Sequence, residues 1–479
     1  MRQSFIGAIG SGASIRFHHI QAYTWAAAIL VLLTGCVEVT SVLTEAGTVK
    51  RLFRGGPLQK YQSGWLPDTV LHGPSASESE PAFLATNFEE YWMAIADLDF
   101  VALRTLARSE PEIGFAEGLS SLAAGNQIRA ESVFTKGRQV ADVNVAAASQ
   151  IMLATTLLSE RKWAILRDLT VSVSLEVADR GNTIELERWG QAFATAGQQE
   201  TALPEIPVSL PLRVTSLGTP TVRVRINGKE YEFWIDTGSG ITVLSSDVAS
   251  DANVASLSSD TLRVRTFAGT VSVTAAVVKR LEIGSIVFTN TPAVVIDASL
   301  MQLRAPSEGS PRPAVHVDGI IGWDTIRQLD LVMDYQNRKI TISRPDNLGT
   351  SGTASQNLKW VGKPLVEVRT KLGRVLHFTI DTGAQASFLN ASVLEKAGVT
   401  SMISDSRIFG IAGTGANADR IVPTLTLDVA GRWLQLQRLI VYGPISHGII
   451  NCDGFLGSDI ARFGSIRIDA TNGLFSVGD

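Results

Sequence analysis

The chain repeats the stretch Phe-Trp-Ile-Asp-Thr-Gly-Ser-Gly, residues 233–240, as Phe-Thr-Ile-Asp-Thr-Gly-Ala-Gln at residues 378–385. In both stretches an apolar run ends at Asp-Thr-Gly. A single Asp-Thr-Gly carries little weight, because average composition gives one by chance in roughly one chain in ten of this length. Two copies set in the same longer pattern indicate a repeated unit.

Four further pairs of segments follow the two Asp-Thr-Gly motifs in the same order. They are Val243-Leu244 and Phe388-Leu389, residues 267–270 and 411–414, residues 318–324 and 453–459, and residues 334–337 and 469–472. Five matched blocks in one order predict a duplication. The predicted copies are residues 208–344 and 359–479, joined by a flexible connector at 345–358 that is rich in Gly and Ser.

The residues before each motif alternate between apolar and polar, which is typical of half-buried strands. In the first copy Val222, Val224 and Ile226 alternate with arginines, and Asn227-Gly228 predicts a type I′ hairpin turn. In the second copy a turn at Gly373 stands at the same distance before the Asp-Thr-Gly motif. Both copies are therefore expected to be all-β.

The repeated Asp-Thr-Gly, each with a later apolar-apolar-Gly, resembles the aspartic peptidase superfamily. The short copies resemble its bacterial retropepsin-like branch, with both halves on one chain. The resemblance implies a duplicated all-β barrel with two pseudo-symmetric lobes, and no metal or other cofactor. It also implies a catalytic pair formed by Asp236 and Asp381, so that a monomer is sufficient for the active site.

The chemistry needs two carboxyl groups because one acts as a base on water while the other acts as an acid on the carbonyl oxygen. Two like charges at close range cannot both ionise cheaply, so the pair shares one proton. Aspartic proteases are the standard example of this arrangement. Each copy supplies one aspartate, which gives the duplication a physical purpose.

The resemblance also assigns roles to neighbouring residues. Thr237 and Thr382 correspond to family threonines that hydrogen-bond across the two loops, and Gly238 and Gly383 leave room at the carboxylates. Gly322 and Gly457 are expected to be structural. Two flaps that close over substrate are expected at Ala268, Gly269 and Thr270 and at Ala412, Gly413 and Thr414, although ordinary hairpins without a binding role remain an alternative.

Residues 81–200 show helical rather than alternating spacing, as at Tyr91, Ile95 and Leu98. Gly118, Gly125, Ala130 and Phe134 fall where a tetratricopeptide-type hairpin places its small and aromatic packing residues, and Ala164 follows Ala130 by the 34 residues of that repeat. An unrelated helical bundle is the alternative. The domain is expected to be a protein-docking surface or a spacer, with a linker at 198–207.

The N-terminus predicts export. A basic segment and the apolar run at residues 25–33 lead into Leu33-Thr34-Gly35-Cys36, which resembles a bacterial lipoprotein signal. The resemblance implies a signal peptide at 1–35, acylation of Cys36, a tether at 36–80 and a membrane-anchored protein of the cell envelope that faces the periplasm. An uncleaved anchor or buried helix is the alternative. The other cysteine, Cys452, is expected to be a buried apolar residue.

Composition excludes other classes. The net charge of −4 gives no indication of nucleic-acid binding, and two cysteines permit neither a disulfide framework nor a cysteine metal site. Asp324 and Asp459 are expected to be helix N-caps. The leading interpretation is a tethered aspartic endopeptidase acting on proteins or peptides. The alternative is a non-catalytic peptide-binding or scaffold lipoprotein with the same fold.

Overall fold

The computed structural model describes residues 86–171, 187–266, 269–303, 314–345, 356–410, 413–442, 446–447 and 449–478. The predicted signal peptide, Cys36, the tether and most of the 345–358 connector lie outside these residues. The described chain forms an N-terminal helical domain followed by a mostly β region with barrel-like sheets, which confirms the expected fold classes of the two parts.

The helical domain begins with α1 (Thr86–Ala96), α2 (Phe100–Leu106), α3 (Glu110–Ala123), α4 (Gln127–Gly137), α5 (Val143–Ser159) and α6 (Trp163–Val171), and residues 187–192 are also helical. N-terminal capping residues determine where several helices begin. Ser109 and Glu112 form a capping box at the start of α3, and Asp142 caps α5. In the part of the chain that the structure describes, no helix is both long and apolar enough to cross a membrane.

Helices α3 and α4 pack through the small and aromatic residues that the sequence singles out. Gly118 lies against the ring of Phe134, and both Phe134 and Ala130 are fully buried. Ala164, however, is exposed, so the 34-residue spacing does not place a second packing residue equivalent to Ala130. The tetratricopeptide resemblance therefore stays a prediction for this pair of helices alone.

The first half of the β region contains two short helices, α7 (Ser246–Asp251) and α8 (Trp323–Ile326). Its strands are β1 (Glu200–Ala202), β2 (Val208–Pro211), β3 (Arg213–Val214), β4 (Pro220–Ile226), β5 (Lys229–Ile235), β6 (Thr242–Ser245), β7 (Ala255–Thr266), β8 (Gly269–Ile283), β9 (Ile286–Ile296), β10 (Gln302–Leu303), β11 (Val315–His316), β12 (Gly319–Ile321), β13 (Asp330–Asp334) and β14 (Lys339–Ser343).

The second half contains α9 (Leu394–Ala397). Its strands are β15 (Leu358–Trp360), β16 (Pro364–Thr370), β17 (Val375–Ile380), β18 (Phe388–Asn390), β19 (Met402–Gly410), β20 (Gly413–Val429), β21 (Arg432–Tyr442), β22 (Ser446–His447), β23 (Ile450–Asn451), β24 (Gly454–Leu456), β25 (Ser465–Asp469) and β26 (Leu474–Gly478).

The two halves pair their strands in the same way. The order β4-β5-β12-β6-β9-β8-β7 in the first half corresponds to β16-β17-β24-β18-β21-β20-β19 in the second. The β5–β12 and β17–β24 pairs are both parallel. Asn227 and Gly228 have φ of 49° and 90°, as the predicted type I′ turn requires.

A five-stranded antiparallel sheet, β2-β14-β13-β25-β26, joins the first half of the β region, called lobe 1, to the second half, called lobe 2. Its central pair aligns Asp330 to Asp334 of the first half with Asp469 to Ser465 of the second. Arg467 crosses this pair and binds both carboxylate oxygens of Asp330 at 2.8 and 2.9 Å. This sheet fixes the position of the lobes relative to each other. It therefore also fixes the relative position of the two Asp-Thr-Gly loops, which meet at the seam between the lobes.

The helical domain packs directly on both lobes, and its apolar core continues into theirs. Arg161, after α5, pairs with Asp324 of lobe 1 at 3.2 Å and donates to its backbone carbonyl at 2.7 Å. Asn451 of lobe 2 donates to Asp97 at 2.8 Å. Burial raises the pKa of Asp324, and the positive charge of Arg161 opposes that rise.

Two expectations are wrong in this region. Asp324 is not an N-cap: Gly322 holds that position, and the carboxylate of Asp324 instead faces Arg161. The expected linker at 198–207 contains β1, in which Thr201 pairs with Phe288 of β9. A three-residue strand at a sheet edge is too short to show an alternating pattern, which explains the second error.

Packing of α3 predicts opposite effects for two glycines of this helix. In Gly118→Ala the added Cβ would lie 2.7 Å from the Phe134 ring, so we expect a loss of about 1–3 kcal/mol in the free energy of unfolding. The matched control is Gly114→Ala, whose Cβ would meet nothing within 4 Å and should stabilise the helix by about 1 kcal/mol. Urea unfolding followed by circular dichroism measures both, and equal effects would contradict this packing.

Candidate active site

The two Asp-Thr-Gly loops leave the sheets at equivalent points. The backbone N–H of Asp236 donates to the carbonyl of Ile321 at 3.1 Å, and that of Asp381 donates to the carbonyl of Leu456 at 2.9 Å. Each acceptor is the last residue of a strand that runs parallel to the strand before the loop. The parallel strands β12 and β24 therefore set the position of each loop.

The structure brings Asp236 and Asp381 together at the seam between the lobes: the backbone of Gly383, in the loop of Asp381, lies directly against the carboxyl group of Asp236, and the charges of the two carboxyl groups influence each other. Both residues are buried, at 5% and 2% exposure. Asp236 Oδ1 accepts hydrogen bonds from the backbone N–H groups of Gly238 at 2.8 Å and Ser239 at 3.2 Å. Asp381 Oδ1 accepts one from Ala384 at 2.9 Å.

Burial is the largest influence on the protonation of this pair. It raises the pKa of Asp236, while the hydrogen bond from Gly238 and the positive charge of Lys363 lower that pKa. Burial raises the pKa of Asp381 further, because the negative charge of Asp236 adds to the effect. Burial and the repulsion between the two negative charges therefore favour a single proton that the pair shares.

Thr237 and Thr382 cross-link the two loops by reciprocal hydrogen bonds. The hydroxyl of Thr382 accepts from the N–H of Thr237 at 3.1 Å and donates to the carbonyl of Ile235 at 2.7 Å. The hydroxyl of Thr237 accepts from the N–H of Thr382 at 3.0 Å and donates to the carbonyl of Ile380 at 2.8 Å. These four bonds lie in a fully or almost fully buried region and hold the loops in register.

Three glycines of the site stand where a side chain does not fit. A Cβ on Gly383 would lie 2.4 Å from the carboxyl carbon of Asp236. A Cβ on Gly322 would lie 2.5 Å from the backbone carbonyl of Ile241, and one on Gly457 would lie 2.6 Å from that of Ala386. Gly322 and Gly457 thus allow the strand ends to pass directly beneath the active-site loops. Gly238 contributes through its N–H to Asp236.

The predicted flap positions lie at the ends of two long hairpins, β7–β8 and β19–β20. Gly269 pairs with Thr266 and Thr270 with Arg265, while Gly413 pairs with Gly410 and Thr414 with Phe409. Ala268 and Ala412 lie outside the described residues. The structure places a hairpin at each predicted position, and a role in binding stays a prediction.

One residue of the site, Lys363, is not among those predicted from the sequence. Its side chain is almost fully buried, and its Nζ donates to the carbonyl of Gly238 at 2.6 Å. The sequence does contain a pattern that points to this loop: Gly362-Lys363-Pro364 before β16 matches Gly218-Thr219-Pro220 before β4 at the glycine and the proline. That repeat marks an equivalent loop in each half, but it does not show that the loop reaches the opposite lobe.

Other candidate chemistry is not supported within the described residues. Cys452 is buried as expected, its thiol contacts Thr379 and the carbonyl of Gly454, and burial raises its pKa to about 11. A thiol with such a pKa is not an activated nucleophile. No cluster of three or more His, Cys, Asp or Glu side chains in the described ranges has a geometry that could bind a metal.

Comparison with known proteins connects part of this region to a family. Residues 222–325, which include Asp236 but not Asp381, match the sequence model of a family described as "Aspartyl protease". This match supports assignment to the aspartic peptidases at a coarse level. A search of curated proteins gives no match.

Two solved structures are similar to part of the chain. An aspartic proteinase from Irpex lacteus has 14% sequence identity and a TM-score of 0.37, and the alignment covers 57% of this chain and 97% of that one. Basic 7S globulin from soybean has 13% identity and a TM-score of 0.32, with 57% and 95% coverage.

The threonine cross-links predict a measurable stability effect. Thr382→Val keeps the shape of the side chain but leaves the N–H of Thr237 and the carbonyl of Ile235 without this partner. We expect a loss of about 3 kcal/mol in the free energy of unfolding, since each unpaired buried polar group costs about 1–3 kcal/mol. Thr382→Ser keeps the hydroxyl and should lose only about 1 kcal/mol. Equal losses in urea unfolding would contradict the assigned hydrogen bonds.

Proposed function

We propose that this protein is an aspartic endopeptidase that hydrolyses peptide bonds with a water molecule activated by Asp236 and Asp381. The observation that carries the proposal is the pair of buried carboxyl groups that come together at the seam between two equivalent, cross-linked loops. The match of residues 222–325 to the aspartyl protease family supports it.

The environments of the two aspartates assign their roles. Asp236 receives two backbone hydrogen bonds and so is the better stabilised carboxylate, which makes it the base that takes a proton from water. Asp381, whose pKa is raised further, is the acid that donates its proton to the carbonyl oxygen of the substrate. The oxygen of that water forms a bond to the carbonyl carbon, which gives a tetrahedral intermediate with two hydroxyl groups. The intermediate breaks down when its nitrogen receives the proton that Asp236 took from water, the carbon–nitrogen bond is cleaved and one hydroxyl group returns a proton to Asp381, so that the pair regains its starting state.

The two hairpins β7–β8 and β19–β20 are the natural covers of this site in the proposed enzyme. Each contributes a flap, with residues 268–270 and 412–414 at the tips, and together they would exclude water from the bound peptide. Equivalent hairpins in both halves support a two-flap, retropepsin-like arrangement that arose by duplication. Because one chain supplies both aspartates, the proposed active unit is a monomer.

The N-terminal sequence supports a location for this activity. We infer cleavage before Cys36, acylation of that residue and anchoring to a membrane of the bacterial cell envelope, with the peptidase facing the periplasm. Residues 36–80 would form the tether. The helical domain would then stand between the tether and the peptidase, where it serves as a spacer or a docking surface for proteins.

Loss of one carboxylate tests the proposed activity. Asp236→Asn should lower kcat/KM by about 10³-fold, because the base that activates water is removed. Cleavage of a quenched-fluorescent library of unstructured peptides measures the rate. Asp247→Asn, which alters an exposed aspartate on α7, is the matched control and should retain wild-type activity. A wild-type protein that binds the peptides without cleaving them would instead indicate a non-catalytic binding protein.

Metabolic labelling tests the anchor. When the gene is expressed in bacteria with an alkyne-bearing fatty acid, we expect the wild-type protein to incorporate the label and to lose residues 1–35. Cys36→Ala should remain unlabelled, because the acylated thiol is absent. Cys452→Ala is the control and should be labelled like the wild type, since Cys452 is buried in lobe 2. A full-length, unlabelled wild-type protein would contradict the proposal.

A further inference from the structure

We propose that Lys363 is a positioning residue for the aspartate pair: it reaches from lobe 2 into the active-site loop of lobe 1, fixes the Gly238 peptide and places a positive charge beside the two carboxyl groups. This inference rests on the proposed function and assigns to that reaction a group outside the Asp-Thr-Gly motifs.

A short chain of hydrogen bonds connects Lys363 to Asp236. The Nζ of Lys363 donates to the carbonyl oxygen of Gly238 at 2.6 Å, and the N–H of Gly238 donates to Asp236 Oδ1 at 2.8 Å. Lys363 is only 2% exposed, so its charge lies where screening by water is weak. The lysine therefore acts both on the conformation of the loop and on the charge of the pair.

The loop that carries Lys363 is held from the other side by the helical domain. Gly362 has a φ of 106°, and a Cβ at this position would lie 2.9 Å from Cγ2 of Thr155 in α5. Val361 is 1% exposed and belongs to the core shared with the helices. With its neighbours fixed in this way, Lys363 has a defined direction into lobe 1.

The equivalent loop of lobe 1 reaches toward lobe 2, but it carries no charged side chain at the position of Lys363. Gly218 lies beside Gln385 and Ser458 of lobe 2, and Thr219 occupies the position equivalent to Lys363. Thr219 is as deeply buried as Lys363, at 1% exposure. The active-site seam therefore receives a lysine from only one of its two equivalent loops, and Thr219 offers a matched control.

The charges around this seam support an effect of Lys363 on protonation. Burial raises the pKa of Asp236 and of Asp381, and the positive charge of Lys363 lowers both pKa values. The neighbouring charged side chains form pairs of their own: Arg161 with Asp324, Arg327 with Glu160, and Lys359 with Glu367. Removal of the Lys363 charge should therefore raise the apparent pKa values of the aspartate pair.

The test compares Lys363→Met, Lys363→Arg and Thr219→Val in two measurements. The first is the pH dependence of kcat/KM on the quenched-fluorescent peptide library. The second is a ¹³C NMR titration of the aspartate carboxyl carbons, assigned with Asp236→Asn and Asp381→Asn, which needs no turnover. In Lys363→Met both limbs of the pH profile and both titration steps should move to higher pH, with about a tenfold loss of kcat/KM on the acid side. Lys363→Arg and Thr219→Val should keep the wild-type limbs.

The two measurements separate the possible failures. If Lys363→Met changes kcat/KM but leaves the limbs and the titration in place, Lys363 is merely structural and the inference is overturned. The same conclusion follows if Thr219→Val moves the limbs as far as Lys363→Met does. If the wild type cleaves no peptide while Lys363→Met still shifts the titration, the proposed function fails and the inference about Lys363 stands.

Discussion

The burial of two carboxyl groups side by side is the constraint on which the rest of this structure depends. Burial disfavours the charge on Asp236 and Asp381, and the negative charge of one disfavours ionisation of the other. Four hydrogen bonds from Thr237 and Thr382, the parallel strands behind the loops and the sheet that joins the lobes hold the groups together. Much of the β region serves to maintain one short contact.

The sequence predicts those features that local pattern determines. Asn227-Gly228 specifies its turn because both residues adopt positive φ readily, and alternation specifies the strands that lead to Asp236 and Asp381. Matching pairs of blocks predict which strands correspond, since equivalent sequences fold into equivalent pairings. Even Gly322 and Gly457 are identified, because each ends a strand that passes beneath a loop.

The features that the sequence does not reveal depend on contacts between distant segments. Asp324 lies in the first turn of a short helix, close to the N-cap position, but its partner Arg161 is 163 residues away. Lys363 appears in the sequence as a charged loop residue, and only the crossing of the lobes brings it to Gly238. Ala164 has the right spacing from Ala130 but the wrong exposure, because spacing alone does not determine which helix face meets a neighbour.

The helical domain is more closely joined to the β region than a spacer requires. Arg161 has a φ of 56°, a conformation that costs about 1–2 kcal/mol for a residue with a side chain, and its contacts with Asp324 offset that cost. Thr155 meets Gly362, and Asp97 meets Asn451. The helices thus contact the chain on both sides of the seam, so that the β region without them would expose apolar surface to water.

The covalent connection of the two lobes has a consequence for inheritance. In an enzyme assembled from two identical subunits, every mutation appears twice and on both sides of the substrate. Here a mutation alters one side alone, as the difference between Thr219 and Lys363 illustrates. Selection can therefore change the two sides of the seam independently, and in the proposed enzyme the two ends of a bound peptide would meet different side chains.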